Sequence, residues 1–169
     1  RLNEIIWMHA EPLTEFHQYE PFFNATVGQK TEVRFLYDDK AIYIGARLYD
    51  NSPDSILIQL GNRDDELNSD YFGIQLDTYS NGLDAFIFEV YASGVQRDRR
   101  RSDETFNAVW ESAVSIDSLG WVAEMRIPWS ALRFVASEKQ NWGLQVQRSI
   151  RRSRELIQWA LVPKGFSIL

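Results

Sequence analysis

The sequence predicts an all-β protein, an antiparallel β-sandwich of jelly-roll-like type with one or two short helical turns. Apolar and polar residues alternate along most of the chain, which is the period of a β-strand. Such runs recur as roughly eight to ten short segments separated by turn-forming residues, as in a sandwich. The 169 residues suit one domain, so we expect a single sandwich over 1–169, excised from a longer protein.

The clearest element is a β-hairpin over residues 31–50, with a tight connection at 38–40. Alternation places one apolar set on a single face of each strand: Val33, Phe35, Tyr37, Ile42, Ile44, Ala46 and Leu48. A second pair of strands follows at 70–79 and 84–92, around the turn signal Asn81-Gly82. Its predicted inward residues are Phe72, Ile74, Leu76, Phe86, Phe88 and Val90.

The later elements follow the same pattern. The turn Ser93-Gly94 leads into an arginine-rich strand at 95–101, and two more strands are expected at 108–117 and 120–128. Pro128 begins a predicted helical turn. The last two strands are expected at 141–150 and 155–162.

Polar residues occupy the strand faces that do not point into the predicted core. They are Gln75, Asp77, Glu89, Tyr91, Gln145 and Gln147. In a sandwich the outer face of each sheet meets water or a ligand. Alternation does not decide whether these residues lie on one sheet.

Composition excludes several classes of function. The chain has no cysteine, which excludes disulfides, thiolate zinc sites and cysteine nucleophiles. Its two histidines, His9 and His17, lie in no catalytic motif. The net charge of −6 argues against a nucleic-acid partner, so the basic runs 97–101 and 148–154 are interpreted as solvated edges or ion-pair ladders. No apolar run reaches the roughly 18 residues of a membrane span, so direct membrane insertion is not expected.

The acidic loop before the third predicted strand has two interpretations. Asp64, Asp65 and Asp70 supply hard oxygen ligands, which suit a structural calcium ion. Aspartates also brace turns routinely. Paired carboxylates elsewhere would suit a glycosidase, but a sandwich of this length leaves little chain for a substrate cleft.

Four ordered segments resemble the family 9 carbohydrate-binding modules. They are "RLNEIIWMHAEPLTEF", "TEVRFLYDDKAIYIGARLYDNSPDSI", "SDYFGIQLDTYSNG" and "GWVAEMRIPWSALRF". The resemblance is nearest to the branch that precedes a large domain of unknown function in bacterial surface proteins. It implies a β-sandwich, glycan binding without catalysis, an extracytoplasmic location and a structural calcium ion near the acidic loops.

The same resemblance implies two departures from sugar-binding members. Those members carry a tryptophan just ahead of the acidic strand and a glutamate within it, whereas Leu67 and Gly73 stand at or near these positions here. One wall of the sugar site is therefore expected to be missing. Of the six tryptophans, Trp159 is the least committed to the core. The resemblance matches it to the second of the two tryptophans on which sugar-binding members stack the sugar.

We therefore expect a non-catalytic module that recognises a plant-type or bacterial polysaccharide, or its chain ends, as part of a larger extracytoplasmic protein. No cofactor is required. The predicted ligand-binding residues are Trp159, Arg148, Gln147, Gln145, Asp77 and Arg63. We expect Arg63 to pair with Asp64, Asp70 to brace its strand, and Asp77 to face a groove or Arg148. The alternative is a docking domain without sugar affinity that packs on its own downstream domain or a partner protein.

Overall fold

Ten strands and four short 3-10 turns form the chain in a computed structural model that describes residues 5–163. The strands are β1 His17–Glu20, β2 Thr31–Tyr37, β3 Ala41–Tyr49, β4 Tyr71–Asp77, β5 Phe86–Tyr91, β6 Gln96–Arg100, β7 Glu111–Asp117, β8 Gly120–Pro128, β9 Gly143–Ile150 and β10 Glu155–Gln158. The 3-10 turns are Ile5–His9, Pro53–Ser55, Trp129–Ala131 and Arg151–Ser153. Between residues 5 and 163, no helix has the length and hydropathy needed to span a bilayer.

The strands pair into two antiparallel sheets, which confirms the predicted β-sandwich. One sheet has six strands in the order β1-β10-β9-β4-β5-β6, and the other has four in the order β2-β3-β8-β7. Because β9, β4 and β5 are neighbours, the polar residues of these strands meet on one surface. Register places Gly73 beside both Glu89 and Gln147, and Gln75 beside Gln145.

The core lies between the sheets and is filled by the predicted alternating residues. Phe72, Ile74 and Phe88 are fully buried, and Phe88 packs edge-on against the Trp110 ring at 5.4 Å. Such aromatic pairs bury large apolar area and add about 0.5–1.5 kcal/mol beyond it. Tyr37 belongs to the same alternating set, but its side chain is 80% exposed at the end of the hairpin.

Gly120, the first residue of β8 after the turn from β7, occupies a position where no side chain fits. Its φ is +130°, and an ideal Cβ would lie 2.2 Å from the Leu48 carbonyl oxygen. The main chain of β8 therefore approaches β3 closely enough to extend the sheet to its last pair, Tyr49 with Gly120.

Candidate functional site

A groove of about 1160 Å³ runs across the outer face of the six-stranded sheet. Its floor comes from β4, β5 and β9, where strands buried by neighbours on both sides hold the side chains in fixed register. Its rim comes from the loop at 66–68, the edge strand β6 and the turn between β9 and β10. We call this feature the outer-sheet groove.

Four side chains on the floor form a hydrogen-bonded chain. The Gln75 amide donates to Gln147 Oε1 at 3.3 Å, and Gln147 Nε2 donates to Glu89 Oε1 at 3.2 Å. The same Gln147 nitrogen lies 3.5 Å from the Tyr71 hydroxyl oxygen. The floor is therefore a preorganised set of amide, carboxylate and phenol groups, the mixture that fixes polar ligands in protein sites.

Tyr71 contributes a hydroxyl that stays protonated. Burial, and then the nearby charge of Glu89, raise the pKa of Tyr71 well above its ordinary value. The ring packs edge-on against Tyr91 at 5.9 Å, which holds the phenol in place. Tyr71 thus offers both a donor and an acceptor to a ligand.

Gln75 holds the most informative atom on the floor. The residue is 6% exposed, and its Oε1 has no hydrogen-bond partner within the described part of the chain. A buried acceptor left unpaired costs free energy, roughly 1–3 kcal/mol. A donor supplied by a ligand hydroxyl would satisfy it.

Glu89 occupies the space above Gly73. An ideal Cβ on Gly73 would lie 2.8 Å from Glu89 Cγ, so the glycine leaves room for this side chain to lie across the floor. The resemblance implies a glutamate at or near position 73. Here β5, directly opposite in register, supplies a carboxylate at the same place.

Leu67 does not form an aromatic wall. It is 7% exposed, and its main-chain N–H donates to the Tyr91 hydroxyl at 3.3 Å. That hydroxyl in turn donates to the Asp65 carbonyl at 3.3 Å, so Tyr91 pins the loop to the sheet. The groove lacks the flat exposed face that would stack on a sugar at this position.

Arginines from β6 overhang the floor. Residues 97 and 99 lie on the outer face of this edge strand, and their guanidinium groups reach over β5 to Glu89. Arg99 donates to Glu89 Oε1 at 3.0 Å, and Arg97 Nε lies 3.8 Å from Glu89 Oε2. Edge arginines normally discourage sheet-to-sheet association, and here they also line the groove.

Two of the predicted ligand-binding residues, Gln147 and Gln145, lie on this outer face. Gln147 lines the groove floor. Gln145 is instead engaged at the end of β10, because its side chain donates to the Ala160 carbonyl at 2.5 Å and accepts from the Ala160 N–H at 3.0 Å. The Gln145 side chain thus bonds both main-chain groups of Ala160, just past the end of β10.

Arg148 lies on the opposite, inner face, which corrects its predicted placement beside a ligand. Register sets it beside the core residues Phe72 and Ile157, and its side chain is fully buried. It donates to the carbonyl oxygens of Lys30 and Tyr49 at 3.1 and 2.8 Å. This burial lowers the pKa of Arg148 to about 10.

Trp159 also points away from the groove. Its main-chain N–H donates to the Val146 carbonyl at 3.0 Å, and its partly buried side chain packs against the core. The predicted exposed platform is not formed there, because the pairing with β9 continues one residue past β10 and sets Trp159 on the inner face.

Asp77 and Arg63 lie at separate ends of the sandwich. Asp77 accepts from the N–H groups of Tyr79 and Gly82 at 3.0 and 2.7 Å, so it braces the turn after β4. It pairs with Gly143, at the far end of β9 from Arg148, which corrects the expected contact between the two. Arg63 does form the predicted ion pair with Asp64, at 3.6 Å, but its closest carboxylate is Asp98.

The three carboxylates proposed for calcium serve separate structural roles. Asp64 accepts from the Asp98 N–H at 2.9 Å, Asp65 from the Asn62 N–H at 2.8 Å, and Asp70 from the Arg151 N–H at 2.9 Å. Asp70 therefore braces its strand as expected. No group of three histidine, cysteine or acidic side chains suited to a metal occurs in residues 5–163, and a calcium ion near this loop stays a prediction.

The predicted ligand-binding set omitted several residues that line the groove, namely Tyr71, Glu89, Arg97, Arg99, Arg151 and Arg154. A signal was present in the run "RDRRR", because every second residue shares a face with Glu89 of the preceding strand. The pairing of β9 with β4, which is not local in sequence, had no such signal.

Comparison with known proteins assigns the family. The family profile described as "Carbohydrate family 9 binding domain-like" matches residues 2–154. The chain therefore belongs to the carbohydrate family 9 binding domain-like family, as the sequence resemblance predicted. A search of curated proteins found no match.

Solved structures with the same fold include carbohydrate-binding modules. A family 9 module from Caldicellulosiruptor kristjanssonii in complex with cellotriose is 16% identical, with a TM-score of 0.59, and the match covers 92% of this chain and 74% of that one. The glucose complex of a family 9 module from the same organism matches at 15% identity, with a TM-score of 0.59 and coverage of 92% and 75%. A putative carbohydrate-binding protein from Bacteroides uniformis matches at 14% identity and a TM-score of 0.63, over 88% and 78%. At these identities the likeness concerns the fold.

Proposed function

We propose that this chain is a non-catalytic glycan-binding module and that the outer-sheet groove holds the sugar. The observation that carries this is Gln75, which lines the groove and whose buried Oε1 has no donor among residues 5–163. Sugar hydroxyls are donors of the right kind, and the neighbouring Gln147, Glu89 and Tyr71 supply further donors and acceptors.

Family membership supports the same ligand class. The solved Caldicellulosiruptor kristjanssonii modules are described with cellotriose and with glucose. The groove is open and shallow relative to an active-site cleft, which suits a segment or chain end of a polysaccharide. A module of this kind acts beside its substrate, so we propose an extracytoplasmic location and attachment to a larger protein.

Calorimetric titration with a panel of neutral and acidic oligosaccharides tests the proposal. The variant Gln75→Ala should bind about three- to tenfold more weakly, the value of one hydrogen bond. Gln29→Ala is the matched control, because Gln29 bonds Asn51 and does not line the groove. Absence of binding to every glycan, or equal losses in the two variants, would remove the groove from this role.

A second candidate is the docking domain, and one surface favours it. The end cluster, formed by Tyr37, Ile42, Trp129, Phe134 and Trp142, encloses about 830 Å³ beside the end of β2. The Phe134 and Trp142 rings lie 5.3 Å apart, and Tyr37 is 80% exposed. Hydrogen exchange over residues 129–142, compared between this chain and a longer parent chain, should show added protection if a downstream domain covers the cluster. Unchanged exchange would exclude docking there.

A further inference from the structure

The outer-sheet groove is positively charged in a chain that is negative overall. Six arginines and four glutamates line it, a difference of +2, which becomes +1 when Asp84, the 2.8 Å partner of Arg100 just outside the lining, is counted; the whole chain carries −6. The groove lining contains no lysine. Because local charge decides which ligands a concave surface attracts, this groove favours an anion despite the acidic composition of the protein.

The floor itself has an excess positive charge. Arg97 and Arg99 both approach the single carboxylate of Glu89, at 3.8 and 3.0 Å. Glu89 is thus shared between two guanidinium groups, with Glu66 adding a more distant negative charge near Arg97, and the two groups are 20% and 45% exposed and so remain accessible from the groove. A second carboxylate, brought by a ligand, would complete the pairing.

The opposite rim repeats this arrangement. Arg151 and Arg154 belong to the turn between β9 and β10, and both side chains are exposed. Arg154 adopts a left-handed backbone with φ of 56°, and the Arg151 Nε donates to Asn68 at 3.2 Å. Cationic groups therefore stand on both sides of the polar floor.

The missing aromatic wall determines which interactions must supply affinity. Leu67 is buried, and Tyr91 on the floor is only 2% exposed, so little flat apolar surface is available for stacking on a neutral sugar ring. Hydrogen bonds to ionised partners are roughly twice as strong as neutral ones. The planar guanidinium fork also matches a carboxylate in two parallel bonds.

The glutamates of the lining decide between classes of anion. Glu20, Glu66 and Glu155 would repel the dense, continuous charge of a nucleic acid or polyphosphate. A glycan with one carboxylate per sugar places hydroxyls between its charges. Those hydroxyls suit the glutamates and the unpaired Gln75 oxygen.

We propose that the outer-sheet groove binds an acidic glycan, with the uronate carboxylates of the sugar held by the arginines of β6 and of the turn between β9 and β10. This inference rests on the proposed glycan-binding function and names its ligand class. The neutral part of each sugar contacts the amide and phenol groups of the floor.

The test compares an acidic trisaccharide with its neutral ester, which differs from it only at the carboxylates, and with an unrelated neutral trisaccharide. Trigalacturonic acid, its methyl ester and cellotriose are titrated into the protein at low salt. The acid should bind about tenfold more tightly than its ester, and this advantage should fall when ionic strength rises from about 20 to about 300 mM. Arg99→Gln and Arg154→Asn should each weaken binding of the acid about fivefold and change the ester less than about twofold.

Two features keep the test decisive. Arg99→Gln removes a partner of Glu89 and could shift that side chain. Arg154→Asn serves as the second variant, because asparagine tolerates the left-handed backbone of residue 154 and the charge is removed with little strain. Arg126→Gln removes the same charge from the other sheet, where Arg126 pairs with Glu111, and should leave the affinity for the acid unchanged. Thermal melting verifies that each variant is folded.

The outcomes separate this inference from the proposed function. Equal affinity for acid and ester, or equal losses in Arg126→Gln and in the groove variants, would overturn the acidic-glycan inference while glycan binding itself stands. No binding of any ligand would overturn both. Tighter binding of the acid than of its ester, reduced only by the groove variants, would support both the acidic-glycan inference and the proposed glycan-binding function.

Discussion

Replacing Arg148 by methionine tests whether this arginine stabilises the sandwich or contacts the ligand. The guanidinium is fully buried and donates to Lys30 O at 3.1 Å, Thr31 Oγ1 at 3.2 Å and Tyr49 O at 2.8 Å. It thereby ties β9 of one sheet to β2 and β3 of the other. Asp50 lies 3.9 Å away and contributes a partly neutralising charge.

The expected loss follows from these contacts. Three hydrogen bonds from a charged donor amount to roughly 5–9 kcal/mol, and burial of methionine returns about 1.5–3 kcal/mol. Asp50, the carboxylate 3.9 Å from Arg148, keeps both of its 2.7 Å bonds from Arg152 and so stays paired. The difference is about 2–7.5 kcal/mol, and we expect Arg148→Met to lower the free energy of unfolding by about 3–5 kcal/mol, the usual cost of a broken buried ion pair.

Urea unfolding, followed by tryptophan fluorescence, measures this change, and thermal melting should show a fall of roughly 10 °C. Glycan affinity, measured where the variant is folded, should stay within about twofold of the original because Arg148 faces away from the groove. Arg126→Gln provides a surface arginine as control. A stability change under about 1 kcal/mol, or lost affinity at unchanged stability, would refute the assignment of Arg148 to the core.

Three further predictions concern the groove, a surface ion pair and a turn. Gly73→Ala should displace Glu89, because the added Cβ would lie 2.8 Å from Glu89 Cγ, and should weaken glycan binding in titration about tenfold. Unchanged affinity would show that Glu89 is dispensable for binding. Arg47, by its hydrogen bonds, holds the pKa of Asp117 at about 2, so Arg47→Gln should return it towards about 3.9 in a carbon-13 NMR titration. Because the folded pKa is depressed, this pair stabilises the protein above about pH 4 and loses its effect as pH falls towards 2; an unmoved pKa would contradict the pairing. Gly120→Ala should lower the free energy of unfolding, measured in urea, by more than about 2 kcal/mol. The φ of +130° and the Leu48 carbonyl oxygen, 2.2 Å from the added Cβ, both oppose a side chain at this position. Near-normal stability of the variant would contradict this backbone geometry.

The hairpins of the fold could be predicted because their signals are local. Alternation over residues 70–79 and 84–92, with Asn81-Gly82 between them, predicts two paired strands and their inward residues, and β4 and β5 confirm this. The same alternation correctly assigned Gln147 to an outer face. It also places Arg148, one residue further along the same strand, on the inner face, but the prediction set Arg148 beside the ligand because a charged residue was assumed to face solvent.

The sequence by itself determined the strand pattern, the family and the faces on which polar residues lie, since side-chain direction reverses with every residue of a strand. Only the tertiary structure decided that β9 pairs with β4, which brings Gln147 into one groove with Glu89 and the arginines of β6. It also decided that Arg148 is a buried tie between the sheets and that Trp159 packs on the core. These outcomes depend on contacts between residues far apart in the chain, and the cost of burying a charge is met only when such distant partners are in place.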